Sequence, residues 1–471
     1  MAGAGLGHLA RPRPAPVNGA LWAARIAAGV GAFAAGRALA QAPDPLAVAA
    51  AGALGATAVA LAVAQPRWCL VGALLLLVGY VPDVMASGGA AHALIPVVLV
   101  ATLVRWALRR ERFAIPAQLL AFVALAVAYL TASLFATDHA AGTAETLDLI
   151  SYAAVVALLM VLLDTPAWLR RAVWAVVLGV GLLASLAILQ QVTKSYGATY
   201  GGFAAVLPAD DAIRSAGPLN PNPFGQVLAT SAVLAFYLAR IHARGAARML
   251  AATIAIACVV AVTYTQSRAA LMALLIAALG IGVLCGVRVR VLATALCGVI
   301  LLGSLVLPQS LQTRVGDLYG AVTANAGTPQ NGSLRGRQSE NVAGLRMWRD
   351  HPLIGVGPDN FEVHYEHYAE TIGTDQRAEE RGAHNLYLES LAETGVLGAT
   401  AFFAVLWLAL RGAWRARRSL APRDALLAEG VFVALGTFLV CALTLHSAYA
   451  RYEWIFIGLA LAAGRLGARA R

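Results

Sequence analysis

Three short polar clusters interrupt an otherwise apolar sequence, and each carries side chains suited to anions or protons. The first runs from Arg214 through Asn220, Pro221, Asn222 and Pro223 to Gly225. The second is Thr265, Gln266, Ser267 and Arg268. The third opens at His384, Asn385, Tyr387 and Glu389 and continues through Glu393 and Gly395 to Gly398. A guanidinium presents a planar fork that fits phosphate oxygens, so Arg214 and Arg268 are candidate phosphate ligands, with Arg346 a weaker third. Imidazole is the side-chain type that exchanges a proton near neutrality, which makes His384 a candidate base. Together these groups would suit a protein that handles a phosphate or another polyanion.

Plainer readings stand beside each of these. Arg268 can snorkel to lipid headgroups. Asn222 followed by Pro223 reads as an N-cap with proline at the first helical position, and Ser267 reads as another cap. A lone histidine at a helix terminus is more often structural than catalytic. His364 and His367, at i and i+3 near Glu362 and Glu366, have a spacing that suits a metal, but such dense charge is better read as a solvated helix face. Glu389 and Glu393 lie one above the other on a helix, as a proton path or a solvated edge. No Asp-x-Asp pair is present, and the adjacent Asp210 and Asp211 point apart if extended. The expected chemistry needs no metal and no cofactor.

The elements that position these clusters are membrane spans. Of 471 residues, 60% are hydrophobic and 13% charged, with a mean hydropathy of +0.72. Soluble domains have roughly 45–50% apolar and about 25% charged residues. Apolar runs of about 20 residues, enough for a helix to cross a hydrocarbon core, recur near 20–40, 46–64, 68–86, 92–107, 114–137, 146–163, 167–190, 222–241, 248–265, 268–286, 289–307, 385–410, 425–443 and 451–464. The first four have poor edges, so the expectation is an all-α polytopic transmembrane bundle of 12–14 spans. Alternating strands of barrel type are absent. Three regions follow: 1–307, with about eleven spans and an outer loop near 191–221; a large loop, 308–384; and the spans and tail of 385–471. The large loop, with Trp348, Phe361, Tyr365 and Tyr368, reads as partly helical and packed, and 325–338 as a mobile stretch.

Charge orients the spans. The formal charge of +11 comes from 34 arginines and Lys194 against 24 acids, and the arginines cluster at 109–112, 170–171, 240–248, 288–290, 411–418 and 465–471. Alternation places all of these on one side, and the positive-inside rule makes that side cytoplasmic, with both termini there. Arg451 is the exception among short loops. The same alternation puts the three polar clusters at the outer, periplasmic surface, each at the start of an inward-running helix, whose N-terminus favours anions. No aromatic-interleaved basic surface supports nucleic-acid binding. Residues 1–40 mimic a secretory signal, but Arg25 and Arg37 interrupt its apolar part, so an uncleaved first span is expected. The five cysteines, Cys69, Cys258, Cys285, Cys297 and Cys441, read as small core residues without disulfides.

Four motifs in order, Asn-Pro-Asn-x-x-Gly from Asn220, Thr-x-Ser-Arg from Thr265, Pro-Leu-x-Gly-x-Gly from Pro352 to Phe361 and His-Asn-x-Tyr-Leu from His384, resemble the O-antigen ligase and polymerase superfamily. The resemblance implies a GT-C-like membrane glycosyltransferase of the bacterial inner membrane, working in lipopolysaccharide biosynthesis. It would transfer polysaccharide from undecaprenyl pyrophosphate to a lipid A-core sugar at the periplasmic face, with inversion. It also implies that Arg214 and Arg268 contact the donor pyrophosphate, that His384 is the base or orients the acceptor, and that Asn220, Asn222, Ser267, Arg346, Asn385, Tyr387 and Glu389 surround the substrates. An O-antigen polymerase or a protein O-oligosaccharyltransferase would use the same donor. A transporter would need polar groups near mid-membrane, whereas here they gather at one face.

Overall fold

The computed structural model describes residues 63–81, 98–106, 116–209, 212–288, 332–370, 381–445 and 450–471, with a few isolated positions besides. The expected spans near 20–40 and 289–307, most of 46–64, residues 308–331 and Asp210–Asp211 lie outside these. Two compact units divide the chain: Met1–Cys69 with Pro96–Ala114, and Leu70–Ile95 with Ile115–Arg471. In the first, Val63 and Ala101 are buried together, and Arg105 donates to the carbonyls of Val63 and Ala64 at 3.2 and 2.8 Å. The three polar clusters all fall in the second.

Its elements are almost all helices: α1 (Pro66–Val78, beginning in the first unit), α2 (Leu119–Ser133), α3 (His139–Leu162), α4 (Pro166–Val192), α5 (Pro221–Ile241), α6 (Ala246–Thr265), α7 (Arg268–Leu284), α8 (Gly332–Asp350), α9 (Phe361–Glu370), α10 (Leu386–Ser419), α11 (Pro422–Cys441) and α12 (Ala450–Arg469). Six of them, α3, α4, α5, α6, α10 and the stretch Pro422–Thr444, are long and apolar enough to cross a membrane. The protein is therefore an all-α, multi-pass membrane bundle. The loop between α4 and α5 is not wholly irregular, since Val206–Ala209 and Ala212–Ser215 pair as an antiparallel hairpin with Leu207 opposite Arg214.

The centre is α5. It packs against α4, α6, α7 and α11, and 83% of its apolar window is buried, against 28% for α6. Small residues allow this: Gly225 abuts Ser267 and Thr265, and Gly430 of α11 abuts Tyr237. Inside, Tyr237 donates to Glu429 at 2.9 Å and Arg417 pairs with the same carboxylate at 3.1 Å, so that buried charge is matched. In a second group, α2 and α3 pack on each other and on the pair α10 and α12.

Two expectations need correcting here. Residues 332–338 are helical, the first two turns of α8, where Arg337 is partly buried with the opposite charge of Glu340 close to it on the same helix. Cys285 is exposed, since it caps the end of α7 where the apolar face runs out, and Arg240 approaches its sulfur at 3.3 Å. The aromatic residues of the large loop do pack: Phe361, Tyr365 and Tyr368 are buried with Met347, Val356 and Ala392.

Candidate functional site

The starts of α5, α7 and α10 meet at one end of the bundle, tied to the end of α11. Gln226 of α5 donates to the Phe438 carbonyl at 3.0 Å, Cys441 of α11 reaches the Ala269 carbonyl at 3.7 Å, and Tyr387 of α10 donates to the Leu439 carbonyl at 2.7 Å. The Leu386 amide adds a bond to the Leu445 carbonyl at 2.9 Å. Polar clusters more than a hundred residues apart in the chain therefore converge.

Each helix start has its own local cause. The Ser267 hydroxyl accepts from the Ala270 amide at 3.4 Å, and Gln266 before it takes a left-handed φ of 51° that turns α6 directly into α7. The Asn385 side chain caps α10 by accepting from the Tyr387 and Leu388 amides. Helix α5 starts two residues earlier than the sequence reading places it: Asn220 holds the cap position with Pro221 at the first helical place. The Asn-Pro dipeptide occurs twice, and both prolines fit a first turn whose amides are unpaired anyway. Asn222, inside the helix, is thereby freed to accept from Arg214 at 2.7 Å, while Arg214 Nε donates to the Thr265 carbonyl at 2.9 Å. Arg214 thus fastens the hairpin to the α6–α7 turn, three residues from Arg268.

Arg268 and His384 line one cavity of about 630 Å³. On one wall, Arg268, Met272 and Ile276 form a single stripe of α7 at i, i+4 and i+8. On another, α8 contributes Arg337, Gln338, Asn341 and Leu345. The mouth is polar and cationic. Below it the wall is apolar and open, with Met272, Ile276, Leu345 and Leu443 each about half exposed. Arg337 went unnoticed in the sequence because it falls in a Gly/Ser/Gln-rich stretch that looked unstructured. Burial lowers its guanidinium from the usual value, and Glu340 opposes that effect. Arg346 does not line the cavity; nine positions from Arg337, or about two and a half turns, it projects from the opposite side of α8.

His384 has a left-handed backbone, φ 43°, a conformation in which histidine is enriched but which still costs free energy. Its Nδ1 lies 3.1 Å from the Gly382 carbonyl and 3.2 Å from Glu340 Oε2. The contact with Glu340 lacks hydrogen-bond alignment, so it is an electrostatic one. A carbonyl only accepts, so Nδ1 carries the proton and the neutral ring has its lone pair on Nε2. Glu340 is 1% exposed, and its other oxygen pairs with Arg381 at 2.9 Å. A buried carboxylate therefore backs the histidine, a partner 44 positions away that spacing alone could not identify.

The Pro352–Phe361 and Glu393–Gly398 motifs explain each other. The Val356 and Gly357 amides donate to the Ala392 and Glu393 carbonyls at 3.0 and 2.9 Å, and the Val396 and Leu397 amides donate back to Pro352 and Leu353 at 2.9 and 3.2 Å. This strap crosses α10 where Gly395, φ 60°, breaks its regular path. A Cβ on Gly395 would overlap the Leu353 backbone, and one on Gly355 would overlap Glu393. The side chain of Glu393 accepts from the Phe361 amide at 3.2 Å. Neither Glu389 nor Glu393 is a solvated edge: both face a second cavity of about 360 Å³ on the other side of the α10 start. Asn220 is exposed, without a side-chain bond at the cap. His364 contacts Thr137 at 3.0 Å, and among the described residues no three His, Cys, Asp or Glu side chains stand close enough to hold a metal ion.

Residues 252–403 match the family described as O-Antigen ligase. Over these residues the chain is similar to the O-antigen ligase family. The family segment spans α6 to the middle of α10, taking in Arg268, Arg337, Glu340, the strap and His384; Arg214 and the Asn-Pro repeat lie before it. With the bundle, this similarity supports a membrane glycosyltransferase-like function of the O-antigen ligase or polymerase type. No curated protein matches the chain.

Proposed function

We propose that the protein is an O-antigen ligase, moving a polysaccharide from undecaprenyl pyrophosphate to a lipid A-core sugar at the periplasmic face of the inner membrane. The observation that carries this is the cavity in which Arg268, Arg337 and His384 share a mouth above an open apolar wall, a shape suited to a lipid diphosphate. The lipid chain lies along Met272, Ile276 and Leu345. The diphosphate meets Arg268, Arg337 and the amide end of α7, whose partial positive charge adds to theirs.

In the proposed reaction the acceptor hydroxyl attacks the anomeric carbon as the bond to the diphosphate oxygen breaks, inverting that carbon. The hydroxyl proton passes to His384 Nε2, and the departing charge is met by guanidinium groups already in place. Glu340 favours the imidazolium that forms and fixes the ring orientation, acting as a positioning residue. Arg214, bound to Thr265 and Asn222, holds the turn that carries Arg268. The cations that meet the leaving group are arginines, so EDTA should leave the rate unchanged.

Deletion in a smooth strain, followed by lipopolysaccharide gels, tests the assignment. Loss of the ladder with accumulation of lipid-linked long polymer supports a ligase; retained single-repeat caps indicate a polymerase instead. Cysteine labelling at 268 and 384 tests the side: modification only from the cytosol ends the proposal.

A further inference from the structure

The second cavity is chemically unlike the first. Seven carboxylates line it: Glu145 and Asp148 of α3, Asp359 and Glu362 of the strap and α9, Glu389 and Glu393 of α10, and Glu453 of α12. Arg451 is there too, its guanidinium 4.8 Å over the Tyr80 ring. Tyr129, Tyr152, Phe402 and Trp454 supply aromatic surface. The decisive group is Glu453. It is 3% exposed, it faces the cavity, and its Oε1 finds no hydrogen-bond partner among the described residues. A buried carboxylate oxygen left unpaired is costly, so this one awaits a donor.

We propose that this cavity binds a non-acidic sugar, neutral or amino-bearing, as the accepting end of the transfer. Carboxyl oxygens that carry no proton only accept hydrogen bonds, and seven carboxyl groups in one cavity supply more acceptors than protons, so the ligand must bring donors, as the hydroxyl and amino groups of a sugar do. Aromatic rings offer flat apolar surface to a sugar's C–H faces. A phosphate, rich in acceptors and negatively charged, is disfavoured among so many carboxyl oxygens. No three of the carboxylates are close enough together to hold a metal ion, which favours a ligand with spaced donors over a single cation. The volume, about 360 Å³, falls in the range of roughly 300–1,000 Å³ usual for small-ligand pockets. Position supports the role: Gly382, Leu386 and Glu389 line this cavity while His384 lines the other, so one short segment presents the sugar pocket and the proposed base. The assignment as acceptor pocket rests on the transferase reading; the sugar chemistry rests on the cavity alone.

The test uses the full chain in nanodiscs and ligand-observed NMR, with glucosamine, N-acetylglucosamine and glucose 6-phosphate as sugar probes and farnesyl diphosphate as the donor probe. The uncharged or amino sugars should bind, and glucose 6-phosphate at least about tenfold more weakly. Glu453→Gln should weaken sugar binding about tenfold or more, the scale of losing one hydrogen bond to a charged group, and leave farnesyl diphosphate binding intact. Arg268→Ala should do the reverse. Glu145→Gln, on a different helix, is measured in parallel, and both variants are checked for wild-type elution and melting. Unchanged sugar affinity in either folded variant overturns the proposal, as does glucose 6-phosphate binding as well as glucosamine. Failure of farnesyl diphosphate to bind the wild type would instead count against the transferase reading, leaving the sugar result to stand or fall separately.

Discussion

The cavity at Arg268 and the cavity at Glu453 adjoin the same segment, residues 382–393, yet their side chains carry opposite charge. One gathers Arg268, Arg337, amide side chains and a helix N-terminus above an open apolar wall; the other gathers seven carboxylates and aromatic rings around a single arginine. On the proposed reading, a diphosphate donor suits the first and a donor-rich sugar the second, so the difference in chemistry would keep donor and acceptor apart while the start of α10 borders both. The strap from Pro352 to Phe361 keeps that segment in place, and it can cross so closely because Gly355 and Gly395 lack side chains.

The sharpest way to break the comparison is at the base and the cation. His384→Ala should lower transfer by roughly 10²–10⁴-fold, the usual contribution of a general base, with the variant still folded in the membrane; near-normal transfer would remove it from the mechanism. Arg268→Lys should be severely impaired too, because a point charge does not replace a bidentate fork; equal kcat/KM would refute the clamp.

A smaller effect is expected at Glu340. Glu340→Gln removes the buried negative charge 3.2 Å from His384 Nδ1 and should reduce kcat, by less than loss of the base itself, with little change in the KM for donor. An effect confined to KM would assign Glu340 to binding. Gly395→Ala should destabilise the fold by at least about 1–2 kcal/mol from its left-handed backbone alone, measured as a lower melting temperature; an unchanged melt would mean the strap is not tightly held.

The smallest effect is one of pH. Burial, with His351 and His367 nearby, lowers the pKa of His364, which contacts Thr137. Its neutral form is therefore favoured by folding: that contribution is fully present above about 6.5, the ordinary value, and is lost as pH falls below it toward the lowered value. His364→Gln should flatten the acid-side decline in melting temperature between pH 7.5 and 5.5; an identical decline would show that other groups cause it.

The parts legible in the sequence are those that depend on local pattern. Apolar runs located the helices near 114–137, 167–190, 222–241, 248–265 and 268–286 to within about five residues at either end, whereas α3 starts at His139, well before the run near 146–163, and cap chemistry identified Ser267 correctly. The convergence of Thr265–Arg268 with His384 was anticipated from alternating topology and is met by the bonds to the end of α11. What depends on long-range pairing was hidden. Glu340 and Arg337 sit in a stretch whose composition suggests a loop, and only the packing of α8 on α10 brings them beside His384 and the cavity. Tyr387 and Asn385 looked like ligands but spend their polar atoms on the Leu439 carbonyl and on capping α10. Arg451, which broke the charge rule for short loops, proves to face the acidic cavity.

The most direct measurement is transfer by the purified protein in liposomes, given an undecaprenyl pyrophosphate-linked polysaccharide and a lipid A-core acceptor and read on a gel. Wild type should yield ligated lipopolysaccharide, in EDTA as well, and His384→Ala and Arg268→Ala should yield essentially none while still melting like wild type. Ligation that proceeds at the wild-type rate in either variant would contradict the account.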